Sequence, residues 1–211
     1  MAEGYPGDCE LTRALQKRAM ERTGESARGY AWKNSLERAA AVELVLFDVD
    51  GVLTDGSLIY HDDGLEIKTF NSRDGFGISL LHRAGIQTGI ITARTSGAVE
   101  RRARNLGIAH LHQGQRNKLD AYRQILAQTG LADAAVAYVG DDWLDLPLLS
   151  RVGFAVAVAD AAPEVRAVAH YTTRAAGGRG AVREVCELII DARGMYETLL
   201  ARYLEGKRDD L

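Results

Sequence analysis

The run VELVLFDVD, residues 42–50, limits the fold more than any other stretch of this chain. Its apolar residues scarcely alternate with polar ones, so it needs cover on both faces, as the central strand of a parallel sheet has. It then ends in two acids, Asp48 and Asp50, with Asp55 close behind. A buried strand that closes on concentrated negative charge needs something at that edge to balance it.

The rest of the chain supplies neighbours for such a strand. IQTGIITAR (86–94), IAHLHQG (108–114), AVAYVGDD (135–142), GFAVAVAD (153–160) and the short HYTTR (170–174) read as further strands. Between them lie helical segments: GISLLHRAG closing on Gly85, SGAVERRARNLG closing on Gly107, KLDAYRQILAQTG, DLPLLSRV and PEVRAVA. Glycine at a helix end and proline in a first turn are the expected punctuation. AVREVCELIIDARGMYETLLARYLEG reads as one terminal helix. Strands alternating with helices predict an α/β fold with a doubly wound parallel sheet. SLIYHDDGLEIKTF, residues 57–70, interrupts that rhythm and reads as a β-hairpin around a His-Asp-Asp-Gly turn. The predicted organisation is an extension over 1–40, partly helical or disordered, followed by one domain over 41–211. In the extension, Leu11, Leu15 and Ala19 recur at helical spacing until Thr23-Gly24 interrupts them. One short helix and a mobile connection are expected there.

The 211 residues suffice for one substantial core, and 46% hydrophobic with 26% charged residues suits a globular protein. A net charge of −3 gives no global basic field, so neither nucleic acid nor an anionic membrane surface is expected as a partner. Cys9 and Cys186 are too few for a disulfide framework, which predicts a reducing, cytoplasmic setting. No apolar run approaches the roughly 18–20 residues of a membrane span, and the N-terminus has no signal-peptide core.

In doubly wound sheets, ligands bind beyond the carboxyl ends of the strands. The residues at those ends are Asp48 and Asp50, then Thr92 and Arg94, then Lys118 opening a helix, and finally Asp141, Asp142 and Asp145. Clustered carboxylates raise one another's pKa, and a hard divalent cation resolves that conflict. Mg²⁺ takes one or two carboxylates and keeps waters or phosphate oxygens. Lys118 and the Thr92 hydroxyl then remain to hold an anion, which describes a phosphate site. His110 and His112 alternate on a short strand without a partnering acid or cysteine and read as structural.

DVDGVLTDG, the strand-ending Thr92, Lys118 and GDDWLDLP together resemble the haloacid dehalogenase superfamily of phosphohydrolases over about residues 43–190. FNSRDGFGI, IITAR, HLHQGQRNKL, AVAVADA and AGGRGAVREVCELI narrow the resemblance. They are similar to the family that dephosphorylates 3-deoxy-D-manno-octulosonate 8-phosphate for the lipopolysaccharide inner core. The resemblance implies a Rossmann-like fold with a hairpin in place of a large cap domain. It implies Asp48 as nucleophile and Asp50 as general acid and base, with Thr92 and Lys118 on the phosphoryl group. Mg²⁺ is implied at Asp48, the backbone carbonyl of Asp50 and Asp141, with Asp142 and Asp145 behind them. Substrate contacts are implied for Asp50, Asn71, Ser72, Arg73, Asp74, Gly75, Arg94, Arg102 and Lys118. Ser72 and Ser79 stand where valine and arginine are common in that family. It also implies a homotetramer built on the hairpins, with the mobile 177–180 tail of one subunit near a neighbour's site.

Three other readings compete. A phosphatase for another nonulosonic acid 9-phosphate would carry the same chemistry. A phospho-receiver domain also gathers acids, Thr and Lys, but its acidic groups precede the Thr and Lys, whereas GDD comes last here. A silent binding protein would not need the full set of chemical groups.

Overall fold

A computed structural model describes residues 8–21 and 29–205 of the chain. Helices α1 (Asp8–Glu21) and α2 (Tyr30–Ala40) precede β1 (Leu44–Phe47), and the hairpin β2 (Ile59–Tyr60) and β3 (Glu66–Ile67) follows. Next come α3 (Ser72–Arg83), β4 (Gln87–Ile91), α4 (Gly97–Leu106), β5 (His110–His112), α5 (Lys118–Thr129) and β6 (Val136–Gly140). The chain continues through α6 (Leu146–Leu149), β7 (Phe154–Ala157), α7 (Pro163–Val168), β8 (Tyr171–Thr172), α8 (Ala181–Ala192) and α9 (Tyr196–Leu204). The main sheet has six strands in the order β5-β4-β1-β6-β7-β8, every pairing parallel. The hairpin forms a separate two-stranded sheet.

All four residues of β1 are buried, which is why its sequence shows no alternation. Strand order runs outward from β1 in both directions, so the crevice at its carboxyl end is the sheet's switch point. Helices α2, α3 and α8 pack as one group, and α5, α6 and α7 as another. Helix ends follow local chemistry. Asn71 caps α3 by accepting from the Arg73 N–H at 2.8 Å, and Gly107 (φ 68°) ends α4 in the left-handed region.

Two elements differ from the sequence reading. The stretch before β1 holds a second helix, α2, and it packs against α8. Trp32, Ser35 and Ala39 are its buried residues, a stripe of mixed polarity that hides its period. The Ser35 hydroxyl is satisfied by donating to Ala31 O at 2.9 Å, and the Trp32 indole N–H donates to Asp191 Oδ2 at 2.8 Å. Trp32 also meets Tyr171 edge-on, with centroids 6.4 Å apart. The expected connection around Thr23-Gly24 lies outside the described residues.

At the other end, the single predicted helix is two. Gly194 at φ 68° donates to Asp191 O at 2.8 Å, and Met195 N–H reaches back to Ile190 O at 3.0 Å. That bond pair is a Schellman motif, which closes α8 before α9 begins. The Gln16 amide donates to Leu204 O at 3.1 Å and ties α1 to α9.

Because Trp32 is 5% exposed and fixes α2 to α8, Trp32→Ala is expected to cost about 3–5 kcal/mol. Urea unfolding checks this as a lower midpoint at unchanged slope. A loss below about 1 kcal/mol would show that α2 adds little to the core.

Candidate active site

Strand register sets the geometry. Phe47 pairs with Ile90 on one side and Val139 on the other, so Asp48 leaves the sheet level with Ile91 and Gly140. Thr92 and Asp141 follow one residue later on their strands. The Asp48 N–H donates to Val139 O at 3.1 Å, and Asp48 Oδ1 accepts from Val49 N–H at 2.7 Å. Asp48, Asp141 and Asp145 each place a carboxylate oxygen within 4.8 Å of the others.

Lys118 lies in the middle of this cluster. It is the first residue of α5, where the Asn117 side chain caps the helix, and it is 2% exposed. Its ammonium stands 2.8 Å from Asp48 Oδ2, 2.6 Å from Asp145 Oδ1 and 3.1 Å from the Tyr138 hydroxyl. Asp145 is buried, and Tyr138 donates to its Oδ1 at 2.6 Å. Its Oδ2 accepts from the N–H groups of Asp141 and Asp142 at 2.9 and 3.2 Å. Asp142 caps the 3₁₀ turn Trp143–Asp145 that carries Asp145 back to the sheet.

Burial pushes the Asp48 carboxyl up to about 6, and the Asp145 charge adds to this against the pull of Lys118. Asp141 rises to about 8 through burial and then the charges of Asp145 and Asp48. For Lys118, burial pulls downward, but the Asp48 and Asp145 charges outweigh it and the ammonium is retained. The acids therefore hold more negative charge than one lysine balances, and two of them resist ionising.

A hard cation fits this set. Asp141 Oδ1 is buried without a hydrogen-bond partner. Its carboxylate is tucked against Gly51, where a Cβ would come within 2.1 Å of Oδ2. Asp48 and Asp141 are thus positioned as oxygen ligands of the Mg²⁺ type. Asp145 is near enough by distance, but its oxygens already accept four donors, so it orients its neighbours.

Asp50 is held by the hairpin. Lys68 Nζ makes a close ion pair with its Oδ1, and Arg94 Nε stands 3.7 Å from its Oδ2. Glu66 on β3 joins both cations, 3.2 Å from Lys68 and 2.9 Å from Arg94, and the Tyr60 hydroxyl accepts from Arg94 at 2.7 Å. Sequence reasoning missed Lys68, Glu66 and Tyr60. The signal was the strand alternation in LEIKTF, which turns Glu66 and Lys68 to the face opposite Ile67.

The remaining site residues fall into two sets. Thr92 is buried at the end of β4, its N–H donating to His112 O at 2.9 Å. Asn71 caps α3 and its amide donates to Gly178 O at 3.3 Å. Ser72 and Arg73 are exposed and line a cavity of about 550 Å³ with Phe76, Arg183 and Glu187. Asp74, Gly75 and Arg102 instead brace the start of α3. Buried Asp74 accepts the Arg183 N–H of α8 at 2.8 Å, and burial raises its carboxyl. Arg102 donates to Asn71 O at 3.2 Å and passes Gly75 so closely that a Cβ there would meet its guanidinium at 2.2 Å.

The 177–180 segment lies on the chain's own turn after Asp48. Gly178 N–H donates to Val52 O at 2.9 Å, and Arg179 pairs with Asp55 at 3.0 Å. A Cβ on Gly177 would sit 1.7 Å from Gly51 O, so only glycine fits. Asp55 accepts from Ser57 N–H at 3.1 Å, a turn role. His82, His110 and His170 bond Thr88, Gln87 and the Ala155 N–H, and the acid cluster contains no histidine.

A buried lysine among aspartates at the switch point of a parallel sheet makes a site suited to a phosphoryl group and a hard cation. Residues 107–184 match the haloacid dehalogenase-like hydrolase family. The 3-deoxy-D-manno-octulosonate 8-phosphate phosphatase of Yersinia pestis is 49% identical over 162 residues, 77% of this chain and 87% of that protein. A solved probable YrbI family phosphatase from Pseudomonas syringae is 52% identical with a TM-score of 0.81, covering 82% of this chain and 99% of that one. The 3-deoxy-D-manno-octulosonate 8-phosphate phosphatase of Moraxella catarrhalis, solved with magnesium, phosphate and KDO, is 42% identical with a TM-score of 0.78. That alignment covers 80% of this chain and 97% of the other. The chain belongs to the haloacid dehalogenase-like hydrolases, in the family of 3-deoxy-D-manno-octulosonate 8-phosphate phosphatases.

The raised acids give a pH test. Asp141 keeps its proton up to about pH 8 in the folded, metal-free protein, against 3.8 ordinarily. A cation must displace that proton, so Mg²⁺ affinity is expected to rise with pH up to about 8, with protons released near neutrality. The metal-free fold is expected to lose stability as pH rises between those two values, because the unfolded chain gives up the proton first. Titration calorimetry in buffers of different ionisation enthalpy checks the proton release, and pH-independent Mg²⁺ affinity would contradict it.

Proposed function

We propose that the chain is a Mg²⁺-dependent phosphomonoesterase that hydrolyses 3-deoxy-D-manno-octulosonate 8-phosphate to the free sugar acid and phosphate, within lipopolysaccharide biosynthesis. The observation that carries this is the Asp48 carboxylate pinned by buried Lys118 beside Asp141, at the switch point of the sheet. The relatives' names and their high coverage supply the substrate.

In this reading Asp48 attacks phosphorus and forms an aspartyl-phosphate. Val49 N–H and Lys118 fix its two oxygens, which sets the approach. Asp50 gives a proton to the departing sugar oxygen and then takes one from the water that hydrolyses the intermediate. Lys68 and Arg94 hold Asp50 in place for both steps. Lys118 and the Thr92 hydroxyl offset charge on the phosphoryl oxygens. Asp48, Asp141 and the Asp50 carbonyl would hold Mg²⁺, which supplies further positive charge there. Arg94 suits a phosphate or a carboxylate of the substrate, since guanidinium binds either group bidentately. Asn71 and Ser72 line a neighbouring groove of about 480 Å³ with Asp55, Phe70 and Arg179. Asp74, Gly75 and Arg102 act from behind α3.

The reading includes a cytoplasmic homotetramer. Leu58, Ile59, Leu65 and Ile67 of the hairpin are exposed and form the apolar contact surface such an assembly needs. The 177–180 segment, which packs on the Gly51–Asp55 turn of its own subunit, would also border a neighbour's site in that assembly. Cys186 is unpaired and buried, in keeping with a reducing compartment. Among the described residues no helix is long and apolar enough to cross a membrane.

The test is phosphate release from a panel of sugar-acid and hexose phosphates, with Mg²⁺ and with chelator. Highest kcat/KM on the eight-carbon 8-phosphate, abolished by chelation, is expected. Asp48→Asn is expected to lower kcat at least about 10³-fold. Preference for a nine-carbon 9-phosphate would move the assignment to that substrate, and equal rates on hexose phosphates would defeat it.

A further inference from the structure

Lys118 has three N–H donors and no acceptor. All three are committed: to Asp48 Oδ2 at 2.8 Å, to Asp145 Oδ1 at 2.6 Å and to the Tyr138 hydroxyl at 3.1 Å. The side chain is 1% exposed, so water does not supply a further partner. A phosphoryl group that reaches Asp48 therefore finds no free N–H on the lysine meant to receive it. One of the three bonds has to be exchanged.

The three are not equal. Two go to carboxylates and are charge-assisted on both sides, whereas the third goes to a neutral hydroxyl and is the longest. Asp145 is also the least movable acceptor, because Tyr138 and two backbone N–H groups hold its remaining positions. Tyr138 itself is fully buried in the middle of β6 and donates its own proton to Asp145. Its hydroxyl can stop accepting from Lys118 while still donating to Asp145.

We propose that Tyr138 is a positioning residue whose hydroxyl is the exchangeable acceptor of Lys118. In the substrate-free site it holds the third ammonium N–H. When the phosphoryl group arrives, that N–H passes to a phosphoryl oxygen, and the Tyr138 O–H keeps Asp145 and the lysine aligned. This rests on the reading of Lys118 as a phosphoryl-binding group given above.

Tyr138→Phe separates this role from plain packing. Without the hydroxyl, the substrate-free enzyme carries an unpaired buried N–H, which bound phosphate relieves. KM and the inhibition constant of inorganic phosphate are therefore expected to fall together, by about 3–10-fold. Asp145 loses one donor, so kcat is expected to fall about 10-fold. A packing role alone would lower the melting temperature and leave KM and phosphate inhibition unchanged or raised, and that result overturns the proposal.

Should Tyr138→Phe fail to fold, the unmodified chain answers the question. The ¹⁵N resonance of the Lys118 ammonium, told apart from Lys68 by a Lys68→Met variant, is expected to shift when phosphate is added. An unchanged resonance overturns the assignment. Phosphate release by the parent enzyme is measured in parallel: an inactive parent defeats the phosphatase reading, whereas an active parent with the packing pattern in Tyr138→Phe defeats only this inference.

Discussion

The ammonium of Lys118, buried between Asp48 and Asp145, is the interaction on which the site depends. A lone buried charge is costly, and a buried pair is tolerated only when its hydrogen bonds are satisfied. Here each N–H of the lysine has an acceptor, and each oxygen of Asp145 has two donors. The network joins the end of β1, the middle of β6, the turn Trp143–Asp145 and the start of α5, so the fold and the site constrain one another. Moving any one of them would leave a buried charge unpaired.

Close backbone approaches complete the arrangement. Gly51 lets the Asp141 carboxylate reach the turn after Asp48, and Gly177 lets the segment before α8 rest on that same turn. Asp74 then holds α8 by its first turn, an anion at the positive end of a helix. The turn after Asp48 is consequently packed from beneath by the sheet and from the side by 177–180. The hairpin adds the third wall through Lys68 and Glu66, which reach Asp50 and Arg94. A small two-stranded insertion thereby supplies polar groups to the site that the sheet does not carry.

The strands were legible in the sequence because burial on both faces leaves no alternation, and Gly107 and Gly130 marked helix ends that the structure keeps. The meeting of Asp48, Lys118 and Asp141 was legible from topology, since carboxyl-end residues of neighbouring strands have nowhere else to go. Contacts that depend on register were not. Lys68 reaches Asp50 only through the hairpin's pairing of Ile59 with Ile67. Tyr138 looked like core because its neighbours in β6 are core, and its hydroxyl is polar only toward Asp145 and Lys118. Asp74 sits in a polar stretch of sequence, yet its carboxylate turns inward to α8, which no local pattern reveals. Helix α2 was hidden by Ser35 on its buried face, and the break at Gly194 by helix-compatible sequence on either side of it.

The central claim is that Lys118 and Val49 aim the Asp48 carboxylate at phosphorus. Acid-quenching the Mg²⁺-loaded enzyme during turnover, digesting it and locating the phosphoryl group by mass spectrometry tests this most directly. The account predicts a phosphoryl group on the peptide carrying Asp48, absent from Asp48→Asn. Turnover with the phosphoryl group on another residue, or with none on the protein under conditions that trap acyl phosphates, would contradict it.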